Sequence, residues 1–188
     1  MAINFSPIDG FHGVYEGIVE SVKDDSKEGK VKIKLPWYDD KTIFECRVRQ
    51  LYAGDKFGAF FIPEPKTEVL VAFIQGDMRF PIILGGLYNG KDKPPTYRDD
   101  NKDEKMIRTK AGHRIILDDT SGKEKIVIME KDEKNSIVID TSGDSITITA
   151  RSGKLTLTAN EVEIKSKTKM NIEAGGEMTV KGSTINLN

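Results

Sequence analysis

The distribution of aromatic and proline residues is the strongest constraint in this 188-residue sequence. All fourteen aromatic residues and all seven prolines lie between Phe5 and Tyr97, and residues 98–188 contain neither type. Proline cannot donate to a β-ladder, and large rings do not fit on a narrow packed axis. The sequence therefore predicts two parts: a compact N-terminal domain and a C-terminal half of narrow, uninterrupted β-structure.

The N-terminal half contains short strands. Residues 31–35 and 44–48 alternate apolar with charged side chains, which is typical of half-buried antiparallel strands, and residues 69–74 are apolar on both faces. About five strands over roughly 80 residues favour an OB-type Greek-key barrel over a sandwich, which usually has seven or more strands. Cys46, the only cysteine, excludes an intramolecular disulfide and is expected to be a buried core thiol.

The C-terminal half repeats pairs of aliphatic residues that lie two positions apart. Thr, Ser, Lys and Glu fill the alternate places, turns with glycine fall between many of the pairs, and the pairs recur about every eight residues. The residues of these pairs are Ile137, Ile139, Ile146, Ile148, Leu155, Leu157, Val162, Ile164, Met170, Ile172, Met178, Val180, Ile185 and Leu187.

This repeat predicts an intertwined triple-stranded β-helix formed by a homotrimer. One chain has too few residues to close a wide solenoid turn, and an isolated short strand leaves its backbone groups and apolar face exposed. Three chains wound together close the structure, and the aliphatic pairs then point to a shared axis. The predicted fold is therefore all-β, an N-terminal OB-fold barrel followed by this β-helix.

The predicted boundaries follow the change in composition. We expect an N-terminal segment at residues 1–13, the OB-fold barrel at 14–90, a polar linker at 91–105 and the triple-stranded β-helix shaft at 106–188.

An ordered series of motifs within residues 14–95 carries a family resemblance. The motifs are GIVESV at 17–22, GKVKIKLPW at 29–37, AG at 53–54, FGAFFIP at 57–63, EVLVAF at 68–73 and PIILGGLYN at 81–89. Together they resemble the OB-fold domain of phage baseplate protein V and of the VgrG spike family of type VI secretion. IRTKAGH at 107–113 and LDDT at 117–120 resemble the segment that follows the barrel in those spikes.

The resemblance implies a structural protein and not an enzyme. A protein of this kind is the central needle of a contractile tail baseplate, links a hub to a tip protein and pierces the target envelope, with transient contact to the target membrane. The chain starts shortly before the barrel, so the hub is expected to be a separate protein. Its predicted contacts are Ile3, Phe5, Phe11 and Tyr15, for which packing within the trimer is the alternative.

The C-terminal end is expected to be blunt and to carry no effector domain. A blunt trimer end exposes unpaired strand edges and apolar side chains, which need a cover. The resemblance implies a separate PAAR-type tip protein as that cover. Its predicted contacts are Thr184, Ile185, Asn186, Leu187 and Asn188.

No catalytic, cofactor-binding or metal-binding residue is predicted, and no cofactor is expected. The carboxylate pairs at 39–40, 99–100 and 118–119 are adjacent in sequence and are interpreted as solvated turns, since neighbouring strand residues point to opposite faces. His12 and His113 lie in different halves without a second ligand at metal-binding spacing.

Two other functions are considered. OB barrels often bind single-stranded nucleic acid, and Trp37, Tyr38, Phe57, Phe60 and Phe61 are possible stacking platforms. Basic residues alternate with acidic ones, however, the net charge is only -1, and Phe60 and Phe61 are expected to pack in the core. A β-helical polysaccharide depolymerase of a tail fibre is disfavoured because the fibre half has no aromatic sugar platforms.

The sequence also predicts where the protein is made and where it acts. It shows neither a basic-then-apolar leader nor a run of about 18 apolar residues. We expect synthesis in the bacterial cytoplasm without a signal peptide and a final location in the baseplate of an assembled particle. A virion, a tailocin, an extracellular injection system and a secretion system all remain open.

Overall fold

The structure is a computed structural model that describes residues 10–39, 41–96, 102–151 and 153–186. Its strands are β1 (Val14–Ser21), β2 (Lys30–Lys34), β3 (Phe44–Val48), β4 (Ala53–Gly54), β5 (Phe57–Gly58), β6 (Glu68–Phe73), β7 (Pro81–Gly86), β8 (Glu104–Arg108), β9 (Arg114–Asp118), β10 (Lys125–Met129), β11 (Asn135–Asp140) and β12 (Ser145–Ala150). A 3-10 turn, Ile74–Gly76, follows β6. These residues contain no α-helix, which confirms the all-β class, and no helix among them could cross a membrane.

The chain divides into two compact units, Met1–Arg108 and Thr109–Asn188. The first unit contains a closed barrel with the strand order β1-β2-β3-β7-β6, in which β6 returns to pair with β1. Most pairs are antiparallel, whereas β3 and β7 pair in parallel through Arg47 with Ile82 and Val48 with Ile83. This closed five-stranded barrel confirms the predicted OB fold.

Alternating side chains of the barrel strands fill its interior. The buried residues are Val19, Val31, Ile33, Leu35, Cys46, Val69, Val71, Phe73 and Ile83. Cys46 is fully buried, as predicted, and this burial raises the pKa of its thiol to about 12. The thiol is therefore a small apolar core group at neutral pH.

A carboxylate shapes the loop between β1 and β2. Asp24 accepts hydrogen bonds from the amide and hydroxyl of Ser26, and from the amides of Gly29 at 2.7 Å and Lys30 at 3.0 Å. These bonds, with that from the Ser26 hydroxyl first, lower the pKa of Asp24 to about 2. In the second unit, too, carboxylates accept hydrogen bonds from the amides of turns.

The strands of the second unit form an antiparallel meander. Its strands have the order β12-β11-β10-β9, and each pairs antiparallel with its sequence neighbours. Each of these three pairs keeps a constant register over five or six residues. The ladders that join β9 to β12 are therefore formed within one chain.

Residues 153–186 differ from the meander. The structure assigns no strand to this stretch, which we call the tail segment, and its side chains are exposed. We predicted strands here, and in a single chain their backbone groups have no ladder to join. The structure also pairs β9 to β12 within the chain, where the sequence predicted winding between chains.

Shortening a core side chain tests the barrel. We expect Ile33→Ala to lower the free energy of unfolding by about 2–5 kcal/mol, because Ile33 is fully buried among the barrel strands. Ile43→Ala is the matched control, since Ile43 is 42% exposed, and its effect should be much smaller. Denaturant unfolding followed by Trp37 fluorescence measures both. Equal losses for the two variants would contradict the assigned core.

Candidate interaction surface

Eight aliphatic side chains lie in two rows on one face of β9 to β12. Direct cross-strand pairing places Leu117, Ile126, Ile139 and Ile146 in one row, and Ile115, Ile128, Ile137 and Ile148 in the other. All eight are 40–72% exposed in the single chain. We call this surface the aliphatic face. Contiguous exposed apolar patches often mark interaction sites in soluble proteins, so the aliphatic face is the candidate interaction surface.

The opposite face of the same sheet is less apolar and better covered. Val127 lies opposite Ile116 and Val138, and it is buried at 4% exposure, while its two partners are half-buried. Thr147 and Thr149 occupy this side of β12. The two faces therefore differ in kind, and the large exposed residues gather on one of them.

The structure brings together four of the predicted axis residues and leaves the others apart. Ile137, Ile139, Ile146 and Ile148 lie on the aliphatic face. Nine more are in the tail segment and are 47–73% exposed: Leu155, Leu157, Val162, Ile164, Met170, Ile172, Met178, Val180 and Ile185. Leu187 lies outside the described residues. A common axis for all of them stays a prediction.

Four members of the aliphatic face were missed in the sequence. Ile115, Leu117, Ile126 and Ile128 lie in continuous apolar runs, 115–117 and 126–128, in which the two-residue alternation is hidden. The signal that could have revealed them is the composition of the turns after residues 118 and 129. The second turn sets which residues of β10 face Ile137 and Ile139, and the first sets which residues of β9 face those of β10.

A groove continues the aliphatic face toward the tail segment. Ile128, Ile137 and Ile148, which form one end of a row, line a groove of about 430 Å³ together with Leu155. Leu155 is the first aliphatic residue of the tail segment. The apolar surface of the sheet thus runs directly into the first repeat of the tail.

Carboxylates hold the three hairpin turns of the meander. Asp118 accepts bonds from the amide and hydroxyl of Thr120 after β9, and Asp140 accepts bonds from the hydroxyl of Ser142 and the amide of Gly143 after β11. After β10, Glu130 accepts bonds from the amides of residues 132, 134 and 135. These amide bonds lower the pKa of Glu130 and of Asp140 below their usual ranges.

The predicted hub contacts have partners inside the chain. Tyr15 lies in β1 and pairs with Val71, and its ring stacks on Trp37 at 4.9 Å between centroids. The ring of Phe11 lies 5.9 Å from that of Phe73. Their apolar character thus has an explanation within the barrel, and hub contact stays a prediction. Ile3 and Phe5 lie outside the described residues.

The predicted tip contacts are only partly described. Thr184, Ile185 and Asn186 are exposed, whereas Leu187 and Asn188 lie outside the described residues. Their contact with a tip protein stays a prediction.

The expectation that Phe60 and Phe61 pack in the core is wrong. They are 76% and 60% exposed and lie in the loop before β6, not in a strand. The side chain of Gln50 explains the geometry: it donates to the Phe61 carbonyl and accepts from the Phe61 amide. Gln50 therefore supplies the backbone bonds that a neighbouring strand would provide, and both rings remain outside.

The neighbouring hairpin β4–β5 also presents aromatic rings. The rings of Tyr52 and Phe57 lie 5.2 Å apart and are both exposed. Gly58 has φ +141°, and a Cβ there would lie 2.4 Å from the Tyr52 carbonyl oxygen, so only glycine fits. This hairpin is a preformed apolar projection of the barrel.

The described residues offer few candidates for metal binding or acid–base catalysis. That part of the chain contains no group of three or more His, Cys, Asp or Glu side chains that could hold a metal ion. Asp39 accepts bonds from the Lys41 amide and the Thr42 hydroxyl, as a turn residue does, and Asp40, Asp99 and Asp100 lie outside the described residues.

Comparison with known proteins shows which domains the barrel resembles. Residues 15–88, which span most of the barrel, match the family model of the type VI secretion system/phage-baseplate injector OB domain. The barrel therefore belongs to the injector OB domains.

Several characterised proteins are similar over more than half of the chain. The type VI secretion system spike protein VgrG3 of Vibrio cholerae is 28% identical over 120 residues, 58% of this chain and 12% of that protein. Actin cross-linking toxin VgrG1 of the same species is 29% identical over 60% of this chain and 11% of the toxin. VgrG5, a spike protein of Pseudomonas aeruginosa, is 29% identical over 53% of this chain and 14% of its own length.

The chain is thus similar to VgrG spike proteins over more than half of its length, and the predicted resemblance is confirmed. It spans only 11–14% of the length of these three relatives.

The turn carboxylates predict an acid-sensitive meander. A lowered native pKa means that the stabilisation by Glu130 is complete above its usual pKa of 4.5 and is lost as the pH falls through the native value. Glu130→Ala should therefore lower Tm at pH 7, and the difference from wild type should shrink as the pH is lowered from 4.5 to 3. Thermal unfolding followed by circular dichroism measures this.

Asp132→Ala is the matched control, because Asp132 contributes its amide, not its carboxylate, to the same turn. It should leave Tm nearly unchanged at both pH values. A constant difference between wild type and Glu130→Ala from pH 7 to pH 3 would contradict the assigned role of the carboxylate.

Proposed function

We propose that this chain is a structural subunit of the central spike of a contractile injection machine, and that three copies cover one another's aliphatic faces. The carrying observation is the pair of exposed aliphatic rows on β9 to β12, together with a tail segment that has no strand partner in its own chain. The similarity to VgrG spike proteins supports the same role.

Other copies of the chain are the simplest cover for both features. The sheet presents a flat apolar wall, and three such walls facing one axis bury all three faces at once with cyclic symmetry. Only Ile and Leu line this wall, and the tail repeats add Val and Met, so the axis needs no space for rings. The same assembly gives the backbone of the tail segment neighbours with which to form a ladder.

The proposed role is mechanical. Chains that are wound together and paired along their length cannot detach singly, so the shaft resists unfolding under load. In this role the barrel end contacts a separate hub protein, the far end contacts a PAAR-type tip protein, and the needle crosses a target envelope when the machine contracts. The protein then acts in an assembled particle or secretion system and performs no catalysis.

Binding of single-stranded nucleic acid is the alternative that the structure partly favours. Exposure of Phe60 and Phe61 removes the argument that these rings are core residues. The three lysines of β2, however, pair with acids on the barrel surface: Lys30 with Glu28, Lys32 with Glu45 and Lys34 with Glu20. Lys27 and Lys56, which line the groove beside Phe60, are the remaining basic candidates there. A binding groove for phosphates needs unpaired positive charge, so we retain the spike role.

Two adjacent residues of β12 provide the test. Ile146 is 72% exposed and lies on the aliphatic face, whereas Thr147 is also exposed but lies on the opposite face. A lysine at either position is tolerated by a folded monomer. If the aliphatic face is buried between copies, Ile146→Lys brings three charges into an apolar axis and should abolish the oligomer.

The measurement is gel filtration with light scattering, with and without SDS at room temperature. We expect wild type and Thr147→Lys to remain oligomeric and Ile146→Lys to become monomeric with the barrel still folded, as judged by Trp37 fluorescence. If Ile146→Lys and Thr147→Lys behave alike, the aliphatic face is not the interface and the proposal fails.

A further inference from the structure

The meander and the tail segment differ in how their strands can form. The strands β9 to β12 pair with sequence neighbours, and each of the three turns is held by a carboxylate. Such local pairing needs only short loop closures and forms within one molecule. Among the residues that the structure describes, the tail segment has no strand partner, and we expect any pairing it makes to depend on encounters with other copies.

The tail segment alone is poorly specified in register. Its aliphatic pairs begin at residues 155, 162, 170, 178 and 185, which are seven or eight residues apart. A slip of eight residues therefore places the pairs that begin at 162 and 170 beside those that begin at 170 and 178, and no aromatic residue or proline in the segment opposes it. Three such tails need an external reference to align correctly.

The groove beside β12 can provide that reference. Leu155 lines this groove together with Ile148 and Ile137, so the first repeat of the tail begins beside a row of the sheet whose register is fixed by cross-strand pairing. Once the first repeats of three chains are aligned, each later repeat has only one position that continues the ladder. Alignment then proceeds from residue 153 toward the C-terminal end.

We propose that β9 to β12 act as an assembly nucleus that folds within each chain and sets the register in which three tail segments pair. This inference rests on the trimer proposed above and adds an order of events to it. The meander forms first and independently of protein concentration. The tail segments pair second, at a rate that depends on concentration.

Refolding of the full chain with pulsed hydrogen exchange tests the order of events. At two protein concentrations that differ ten-fold, the amides of β9 to β12 should become protected at the same rate. The amides of residues 153–186 should become protected later, and several-fold faster at the higher concentration. Simultaneous protection of both regions would overturn the nucleus while leaving the trimer intact. If the tail segment is never protected at either concentration, the trimer itself fails.

A turn variant tests the register. The exposed Lys181 is replaced by cysteine and spin-labelled, while the buried Cys46 remains unlabelled, and distances between labels of different copies are measured. We expect one narrow distance in this background. Adding Asp140→Ala, which removes the carboxylate of the turn before β12, should delay tail protection and broaden the distances. Asp140→Asn keeps one acceptor oxygen. It should therefore partly restore the rate of tail protection and the narrow distance distribution.

Ser166→Ala is the matched control. The Ser166 hydroxyl bonds to the backbone of Lys169, so this variant removes a local turn contact within the tail segment instead of the sheet. It should leave the rate of protection of the tail segment and the distribution of label distances as they are without the substitution. If Ser166→Ala disturbs them as much as Asp140→Ala, or if Asp140→Ala has no effect, the meander does not set the register.

Discussion

An aliphatic sheet face without a cover in its own chain is the constraint on which the rest of the structure depends. The two rows on β9 to β12 are fixed by cross-strand register, so their eight side chains cannot turn inward without breaking the pairing. The opposite face already buries Val127. Water-exposed Ile and Leu in this number are costly, and association relieves that cost. In the proposed spike, the association that covers the aliphatic face would therefore also stabilise the second unit.

Turn chemistry distinguishes the part of the second unit that forms strands within one chain from the tail segment, which the structure shows without strands. Asp118, Glu130 and Asp140 each organise a turn immediately after a strand, which makes a hairpin favourable over its short length. In the tail segment the corresponding positions carry Gly, Ser and Asn, for example at 175–176, without such a carboxylate network among the described residues. The same alternation of aliphatic and polar residues thus has two outcomes, depending on the turns that separate the strands.

Much of this organisation could be predicted from the sequence. Alternation in residues 31–35 and 44–48 predicted strands of the barrel, and the five strands close as an OB fold does. Continuous apolar runs hid Ile115 and Ile126, because alternation cannot be read where both faces are apolar. The exposure of Phe60 could not be foreseen, since it depends on the long-range bonds that the Gln50 side chain makes with the backbone of Phe61.

The mass of the purified protein in solution tests most directly whether copies of the chain cover the aliphatic face. Sedimentation equilibrium over a range of concentrations distinguishes the possible states without any mutation. The account predicts a single species of about 63 kDa, three times the 21.0 kDa of one chain. A stable species of 21.0 kDa at all concentrations would contradict it, because the two aliphatic rows and the tail segment would then remain exposed to water.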